Sequence, residues 1–596
     1  MSNYKKTHLQ LNIVIDKISI VERDVIKMEN KKWWKEAIGY QIYPRSFLDT
    51  NNDGIGDLNG IISKLDYLKE LGITMIWICP VYKSPMDDNG YDVSDFYNVA
   101  SDYGTLEDLL KLIDELHKRD MKLIMDLVLN HTSDEHEWFI EARKGKDNPY
   151  HDFYIWADGK FDENGNMIEP NNLASFFSGS CWKYDEVAKQ YFMKIFSDKM
   201  PDLNWSNPKL REKMFEMAKW WLDKGVDGFR VDAVAHLSRD MTLQDSDMEC
   251  DDKYKPDWKF FSNRPELHNY LKEFNEKVLS KYDCMTVGEA GGGATPEQAL
   301  DYSGYNSNEL NMTFTFDHCW ENGAFGADTK KDDEIRTNVI SLKDVLSKWQ
   351  NGLYSKGWNP IYWLNHDHPR VASQYGDINY HKQSCKMLCN TLYLLWGTPF
   401  VYNGEEIGMT NVDYTALEQF KDVSAQNYAK YALEERGLSM EQILTHLRRS
   451  SRINSRTPMQ WNSSKYGGFS NVKPWVDNVG NYKVINVENQ LKDSDSILNH
   501  YKKILHLRKE GKYKETIIYG TYKLLDHDNP LIYSYIREKD NQKIIVISNF
   551  FKEEGMINFK EYKIKNIIDN NYNDYSLKTL ENVKLRAFES YIIEVE

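Results

Sequence analysis

Long apolar runs, a disulfide pattern and an excess of positive charge are all missing from this sequence. No window approaches ~18 consecutive apolar residues, so no segment reads as a helix that spans a bilayer. The first residues mix Lys, Asp and Glu through their apolar positions, unlike the unbroken apolar core of a secretory signal. Cysteines number 7, an odd set scattered over 596 residues, which does not suit a disulfide framework. Cys385 and Cys389 stand four apart in an apolar helical run and read as buried side chains rather than ligands. With 91 Asp and Glu against 75 Lys and Arg, the net charge of −16 argues against nucleic acid or an anionic membrane as partner. No internal repeat is visible beyond an alternation of elements. A reducing cytoplasm, and a monomer or weak homodimer, are the simplest expectations.

What is present is size, aromatic content and alternation. A chain of this length exceeds what one hydrophobic core serves, so two or three domains are expected. Residues 1–30 are set apart as a leader, because recognisable architecture begins only after Met28, itself a candidate natural start. From Ala37 onward, β-rich runs alternate with amphipathic stretches. The strand candidates are Ala37–Tyr43, Met75–Pro80, Lys122–Leu129, Asp227–Ala233, Met285–Glu289, Met312–Asp317, Ile361–Asp367 and Thr398–Gly404. Helical patterns such as Ile61–Leu71, Leu106–Arg119, Leu210–Lys224 and His381–Leu395 lie between them. Eight such pairs predict an α/β fold, a (β/α)8 TIM barrel over 31–132 and 203–515. Residues 133–202, aromatic and rich in Gly and Asn, read as an inserted subdomain after strand 3. A second long insertion covers about 411–496. Residues 516–596 turn β-rich and predict a C-terminal antiparallel β-sandwich.

In such a barrel the polar residues at C-terminal strand ends face one site. They are Asp126 and His131, Arg230 with Asp232, Glu289, and His366 with Asp367. A single strand-end Asp is most simply an ion-pair or capping residue. Three carboxylates from three strands, with His and Arg beside them, suit acid–base and nucleophilic work on a glycosidic bond. That chemistry needs one ionised carboxylate to attack and one protonated carboxyl to donate, with their carboxyls ~5–5.5 Å apart when configuration is retained. Arg230, two residues from Asp232 and on the same strand face, would keep that Asp ionised. Gly288-Glu289-Ala290-Gly291 offers few local donors, which would raise the pKa of Glu289 and suit it to the acid.

The strings Asp126-Leu-Val-Leu-Asn-His131, Gly228-Phe-Arg-Val-Asp232, Val287-Gly-Glu289 and Asn365-His-Asp367 resemble the four signature regions of glycoside hydrolase family 13, the α-amylase family. Further strings, Tyr40-Gln-Ile-Tyr-Pro-Arg-Ser-Phe47, Arg456-Thr-Pro-Met-Gln-Trp461 and Gly404-Glu-Glu-Ile-Gly-Met409, resemble its oligo-1,6-glucosidase and α-glucosidase branch. The resemblance covers about Lys31 to the C-terminus. It implies Asp232 as nucleophile, Glu289 as general acid/base and Asp367 as transition-state stabiliser. It also implies sugar contacts from Asp88, Tyr91, His131, Arg230 and His366, with Arg456 helping to close a blind pocket. A blind pocket admits only a chain end, so an exo-acting retaining α-glucosidase acting on a small oligosaccharide or disaccharide is expected.

The same resemblance suggests one structural Ca2+ in the loop Asp49 to Asp57, held by Asp49, Asn51, Asp53, the Ile55 carbonyl and Asp57, although the Glu that an EF-hand carries at position twelve is absent. No organic cofactor is expected. Ala233 follows the nucleophile where α-1,6 members often carry Val, so α-1,4 substrates such as maltose and maltooligosaccharides are favoured. Met200-Pro-Asp-Leu-Asn204 and His368 are further departures from the branch pattern. An oligo-1,6-glucosidase, a sucrose isomerase and a trehalose-6-phosphate hydrolase are the alternatives. A non-enzymatic transporter heavy chain is disfavoured, because the acids are all present and an anchor is absent.

Overall fold

The computed structural model describes residues 31–596 except 292, 325, 326 and 328. The leader expected over 1–30 therefore lies outside the described residues. Eight strands form one parallel sheet: β1 Gly39–Ile42, β2 Met75–Ile78, β3 Lys122–Val128, β4 Gly228–Asp232, β5 Met285–Glu289, β6 Met312–Phe314, β7 Pro360–Ile361 and β8 Thr398–Tyr402. The hydrogen-bonded order runs β6-β5-β4-β3-β2-β1-β8-β7, so the sheet curls almost into a closed barrel with its seam between β6 and β7. Helices follow the strands, among them α1 Leu65–Leu71, α2 Leu106–His117, α3 Pro208–Asp223, α4 Glu266–Lys277, α5 Pro296–Ser303, α6 Val339–Leu353, α7 His381–Tyr393 and α8 Ile497–Lys509. Strong N-caps begin several of them; Thr105 and Asp108 close a reciprocal capping box at α2.

Strand parity decides what points inward. On β2, Met75 and Trp77 join an inner cluster with Ile124, Met285, Val287, Met312 and Phe314, while Ile76 and Ile78 pack outward against the helices. The same two-residue step carries Ile124 to Asp126, and Met285 and Val287 to Glu289. On β4, Phe229 and Val231 take the outward places, which leaves Arg230 and Asp232 facing in. Gly228 permits β4 to lie against β5, because a Cβ there would sit 1.9 Å from the Met285 carbonyl oxygen.

Three elements depart instructively from their sequence boundaries. The seventh strand stops at Ile361 rather than Asp367. Asn365 Oδ1 accepts the Asp367 amide hydrogen at 2.8 Å, and this local turn takes the backbone out of the ladder. The sixth ends at Phe314 before Thr315 Oγ1 accepts from the Asp317 amide at 3.3 Å. The helix expected over Ile61–Leu71 is two pieces, Leu58–Ile62 and α1, parted where Ser63 Oγ bonds back to the Gly60 carbonyl.

The inserted subdomain holds an antiparallel sheet of Trp156–Ala157, Gln190–Met193 and Trp182–Asp185, and its core includes Phe260 and Phe261 from beyond β4. Helices Val423–Glu434 and Met440–Ser450 give the second insertion a core of its own. From Thr521 onward, a five-stranded antiparallel sheet packs on a two-stranded one across a core of Ile545, Ile547, Ile557, Leu585 and Ile593. Among the described residues no helix is long and apolar enough to cross a membrane.

Candidate active site

A cavity of about 410 Å³ opens at the C-terminal ends of the strands. Asp88, Tyr91, His131, Asp232, Glu289, His366 and Asp367 all line it. Seven residues chosen from distant parts of the sequence are thus brought to one place.

Its floor is organised by Arg230, which is almost wholly buried. One guanidinium nitrogen donates to Asp126 Oδ1 and Asp232 Oδ1, each at 2.5 Å, and the other to Glu289 Oε2 at 2.6 Å. The Ala233 amide also donates to Glu289 Oε2, at 3.0 Å. Glu289 therefore has donors after all, supplied by the end of β4 rather than by its own glycine-flanked segment. Burial is nonetheless the larger effect and lifts both Asp232 and Glu289 to about 7, with Arg230 pulling the other way. Burial likewise lifts Asp126 to about 6. Two carboxyls gripped by one guanidinium titrate as a unit, so near neutral pH the pair retains about one proton. One acid and one base at a single point is the division of labour that glycosyl transfer requires.

The other side of the cavity is different. Burial would raise Asp367, but His366, Arg456, Arg452 and Arg230 together hold it far below the ordinary carboxylate range. Arg456 donates to its Oδ1 at 2.8 Å and Arg452 at 3.4 Å, while His366 Nε2 lies 3.1 Å from Oδ2. Arg452 also donates to Asp88 at 2.8 Å and Asp422 at 2.8 Å. The Tyr91 ring stacks on His366 at 5.2 Å with a tilt of 6°. His131 Nε2 is held by the Tyr91 carbonyl at 3.2 Å, and burial pushes this histidine down to about 3, so it is neutral.

Two expected sugar contacts stand elsewhere. Arg230 does not line the cavity; it is buried below it, with its guanidinium spent on three carboxylates. Arg456 is fully buried behind Asp367, and the wall it was expected to form is made by Arg452, four residues earlier. Arg452, Asp422 and the aromatic lining of Phe176, Phe177, Phe196, Phe316 and Trp320 were not singled out from the sequence. Arg452 opens a short 3-10 turn, Arg452–Asn454, that ends two residues before the motif arginine, and that proximity was the available signal.

The Asp49–Asp57 loop lies outside the cavity lining, and its side-chain oxygens accept hydrogen bonds within and around the loop. Asp49 accepts from the Asn52 and Gly54 amides and from Ser470. Asp53 accepts from the Ile55 amide and from Asn51, whose own Oδ1 takes the Asp53 amide. Asp57 accepts from Thr50 and caps a helix at Gly60. Among the described residues no group of three or more His, Cys, Asp or Glu side chains is gathered for a metal.

A family model for the α-amylase catalytic domain matches residues 41–520. The chain belongs to the α-amylase family. It is 46% identical to an oligo-1,6-glucosidase of Parageobacillus thermoglucosidasius, over 94% of this chain and 99% of that one. Among solved structures it is similar to the trehalose-6-phosphate hydrolase of Bacillus licheniformis, at 40% identity and a TM-score of 0.86, over 95% of this chain and 100% of that one. It is also similar to the isomaltulose synthase of Erwinia rhapontici NX5, at 38% identity and a TM-score of 0.87, over 95% of this chain and 99% of that one. This family member is a glycoside hydrolase, with glucosidase relatives matched over 94% of its length or more.

Proposed function

We propose that this chain is an exo-acting retaining α-glucosidase that releases glucose from the non-reducing end of short α-glucosides. The observation that carries the reading is the Arg230 fork, which holds Asp232 and Glu289 to one point of a pocket bounded by the Asp88–Arg452 ion pair. In this reading Asp232 attacks the anomeric carbon as Glu289 protonates the leaving oxygen, giving a covalent glucosyl ester. Glu289, now ionised, takes a proton from water as it attacks, and the ester bond to Asp232 breaks. Asp367, kept ionised by its arginines, holds hydroxyls of the flattened ring. His366 donates to the same sugar, His131 lines the pocket with its one hydrogen held by the Tyr91 carbonyl, and Tyr91 offers its ring face.

For linkage, the α-1,4 preference rests on Ala233, whose methyl lines the cavity beside Glu289 and leaves room at the leaving sugar. The relatives named oligo-1,6-glucosidase favour the second reading, an α-1,6 preference. Initial rates on maltose and isomaltose, with chromatography of the first product, separate the two. Maltose is expected to be faster, glucose the first product, and Asp232→Asn to lose at least about 10⁴-fold in kcat/KM. Faster isomaltose hydrolysis overturns the linkage, and near-normal turnover by Asp232→Asn overturns the mechanism.

A structural calcium ion in the Asp49–Asp57 loop belongs to the same reading and rests on the spacing of its oxygen-bearing residues. The expected outcome is a small one: a chelator lowers the Tm by about a few degrees and leaves kcat unchanged. A calorimetric titration without binding removes the ion from the account.

A further inference from the structure

Gln41 lies on β1, buried, in the motif that resembles the oligo-1,6-glucosidase branch but has no role in the reaction as described. Its side-chain amide is 2.8 Å from His366 Nδ1 and 3.2 Å from Cys79 Sγ. The other nitrogen of the same imidazole, Nε2, is 3.1 Å from Asp367 Oδ2. Asp367 accepts from Arg456 and Arg452, so it is ionised and has no hydrogen to give. The hydrogen in that contact must therefore come from Nε2, or two lone pairs would face each other.

The ring has only one hydrogen to place. Burial keeps His366 well below the ordinary histidine range against the opposing pull of Asp367, and Arg456, Arg230 and Arg452 add to the lowering. A neutral imidazole with its hydrogen on Nε2 presents a bare lone pair at Nδ1, which a donor must satisfy inside the protein. The Gln41 NH2 group is that donor, and the requirement at Nδ1 decides which end of the amide faces the ring. Rotation of the imidazole is blocked by Tyr91, stacked at 5.2 Å, by Tyr43, stacked at 6.2 Å, and by the edge of Trp77 at 6.1 Å.

We propose that Gln41 is a positioning residue, which donates to Nδ1 and thereby fixes His366 as the tautomer that aims Nε2–H at Asp367 and the sugar hydroxyl beside it. This rests on the reading that His366 and Asp367 hold the reacting glucose. A glutamine that acts only by filling space would be replaced by methionine at little loss; a hydrogen-bond donor would not.

The test compares Gln41→Met and Gln41→Glu with the unaltered enzyme in kcat/KM for maltose, from about pH 5 to about pH 9. Gln41→Met is expected to lose about tenfold to a hundredfold at every pH, with its Tm measured alongside. Gln41→Glu can share one proton with Nδ1, which leaves Nε2–H in place. Once that proton is lost at higher pH, the carboxylate draws the remaining ring hydrogen to Nδ1 and Nε2 becomes a lone pair. Its activity relative to the unaltered enzyme should therefore be highest in acid and fall steadily toward alkaline pH. Asp232 and Glu289 titrate in both proteins, so the ratio isolates the Gln41 position; Asp367, Arg230, Arg452, Arg456, Cys79, Tyr43 and Tyr91 are the other titratable or charged groups facing the ring. A flat ratio across pH, or wild-type activity in Gln41→Met, overturns the proposal. Inactivity of Asp232→Asn in the same assay keeps the underlying site reading intact when that happens, and activity of Asp232→Asn would instead overturn the site reading itself.

Discussion

On the β3–β5 side of the cavity, Asp126, Asp232 and Glu289 share the single guanidinium of Arg230. On the other side, Asp88, Asp367 and Asp422 share two, those of Arg452 and Arg456. The sides are similarly buried but differ in cations per acid, and the protons follow. Burial dominates where one cation serves three acids, and carboxyls there rise toward neutrality. Where two cations serve three, Asp367 and Asp422 are held below their ordinary range against the same burial, and Asp88 alone is raised by it. One side is thus equipped to exchange protons and the other to stay charged. The difference between catalysing and holding is written in that ratio.

The largest break in this comparison comes from Glu289→Gln, which removes the exchangeable proton. Loss of general acid catalysis is expected to cost about 10²–10⁴-fold in kcat on maltose, and much less on p-nitrophenyl α-glucoside, whose leaving group needs no proton. Equal losses on the two substrates would deny Glu289 the acid role. The same substitution reads the electrostatics through stability. Because Asp232 and Glu289 rise to about 7 from ordinary values of about 4, the folded chain keeps protons there that the unfolded chain has released. Their contribution is whole below about pH 4 and lost as pH climbs through about 7. Glu289→Gln should therefore raise the Tm at pH 8 by about a few degrees and leave it nearly unchanged at pH 4, a contrast that scanning calorimetry resolves.

Arg452→Ala tests the other side. It removes one cation from Asp88, Asp367 and Asp422 and takes away the wall of the pocket. A loss of about tenfold to a hundredfold in kcat/KM is expected, carried mostly by KM, and steady-state kinetics on maltose measures it. A change in kcat alone would place Arg452 in the chemistry instead.

The smallest expected effect lies where the halves meet. Ala233 adopts φ +45°, ψ +33° immediately after Asp232, a left-handed conformation that costs a β-branched residue about 1–2 kcal/mol. Ala233→Val should lower the Tm and move the maltose-to-isomaltose rate ratio toward isomaltose by about a few-fold. An unchanged ratio would dismiss the linkage argument.

Much of the β3–β5 side was legible in the sequence, because period-two alternation on a buried strand tells which residues face inward. Arg230, Asp232 and Glu289 follow directly from the apolar residues around them. The other side was harder. His366 and Asp367 lie beyond β7, in a turn made by Asn365, and Arg452 arrives on the second insertion. No periodicity governs such segments; their side chains are placed by long-range hydrogen bonds, as Arg370 binds the carbonyls of Asn403, Asn454 and Ser455. The aromatic wall was invisible for a similar reason. Phe176, Phe177 and Phe196 come from the inserted subdomain, whereas Phe316 and Trp320 come from beyond β6, so nothing local joins them.

The central claim is that Asp232 becomes covalently bonded to the sugar while Glu289 manages the proton. Trapping with a 5-fluoro-α-glucosyl fluoride, followed by digestion and mass spectrometry, addresses it directly. A single glucosyl adduct on Asp232 is predicted. An adduct on Glu289 or Asp367 would contradict the account.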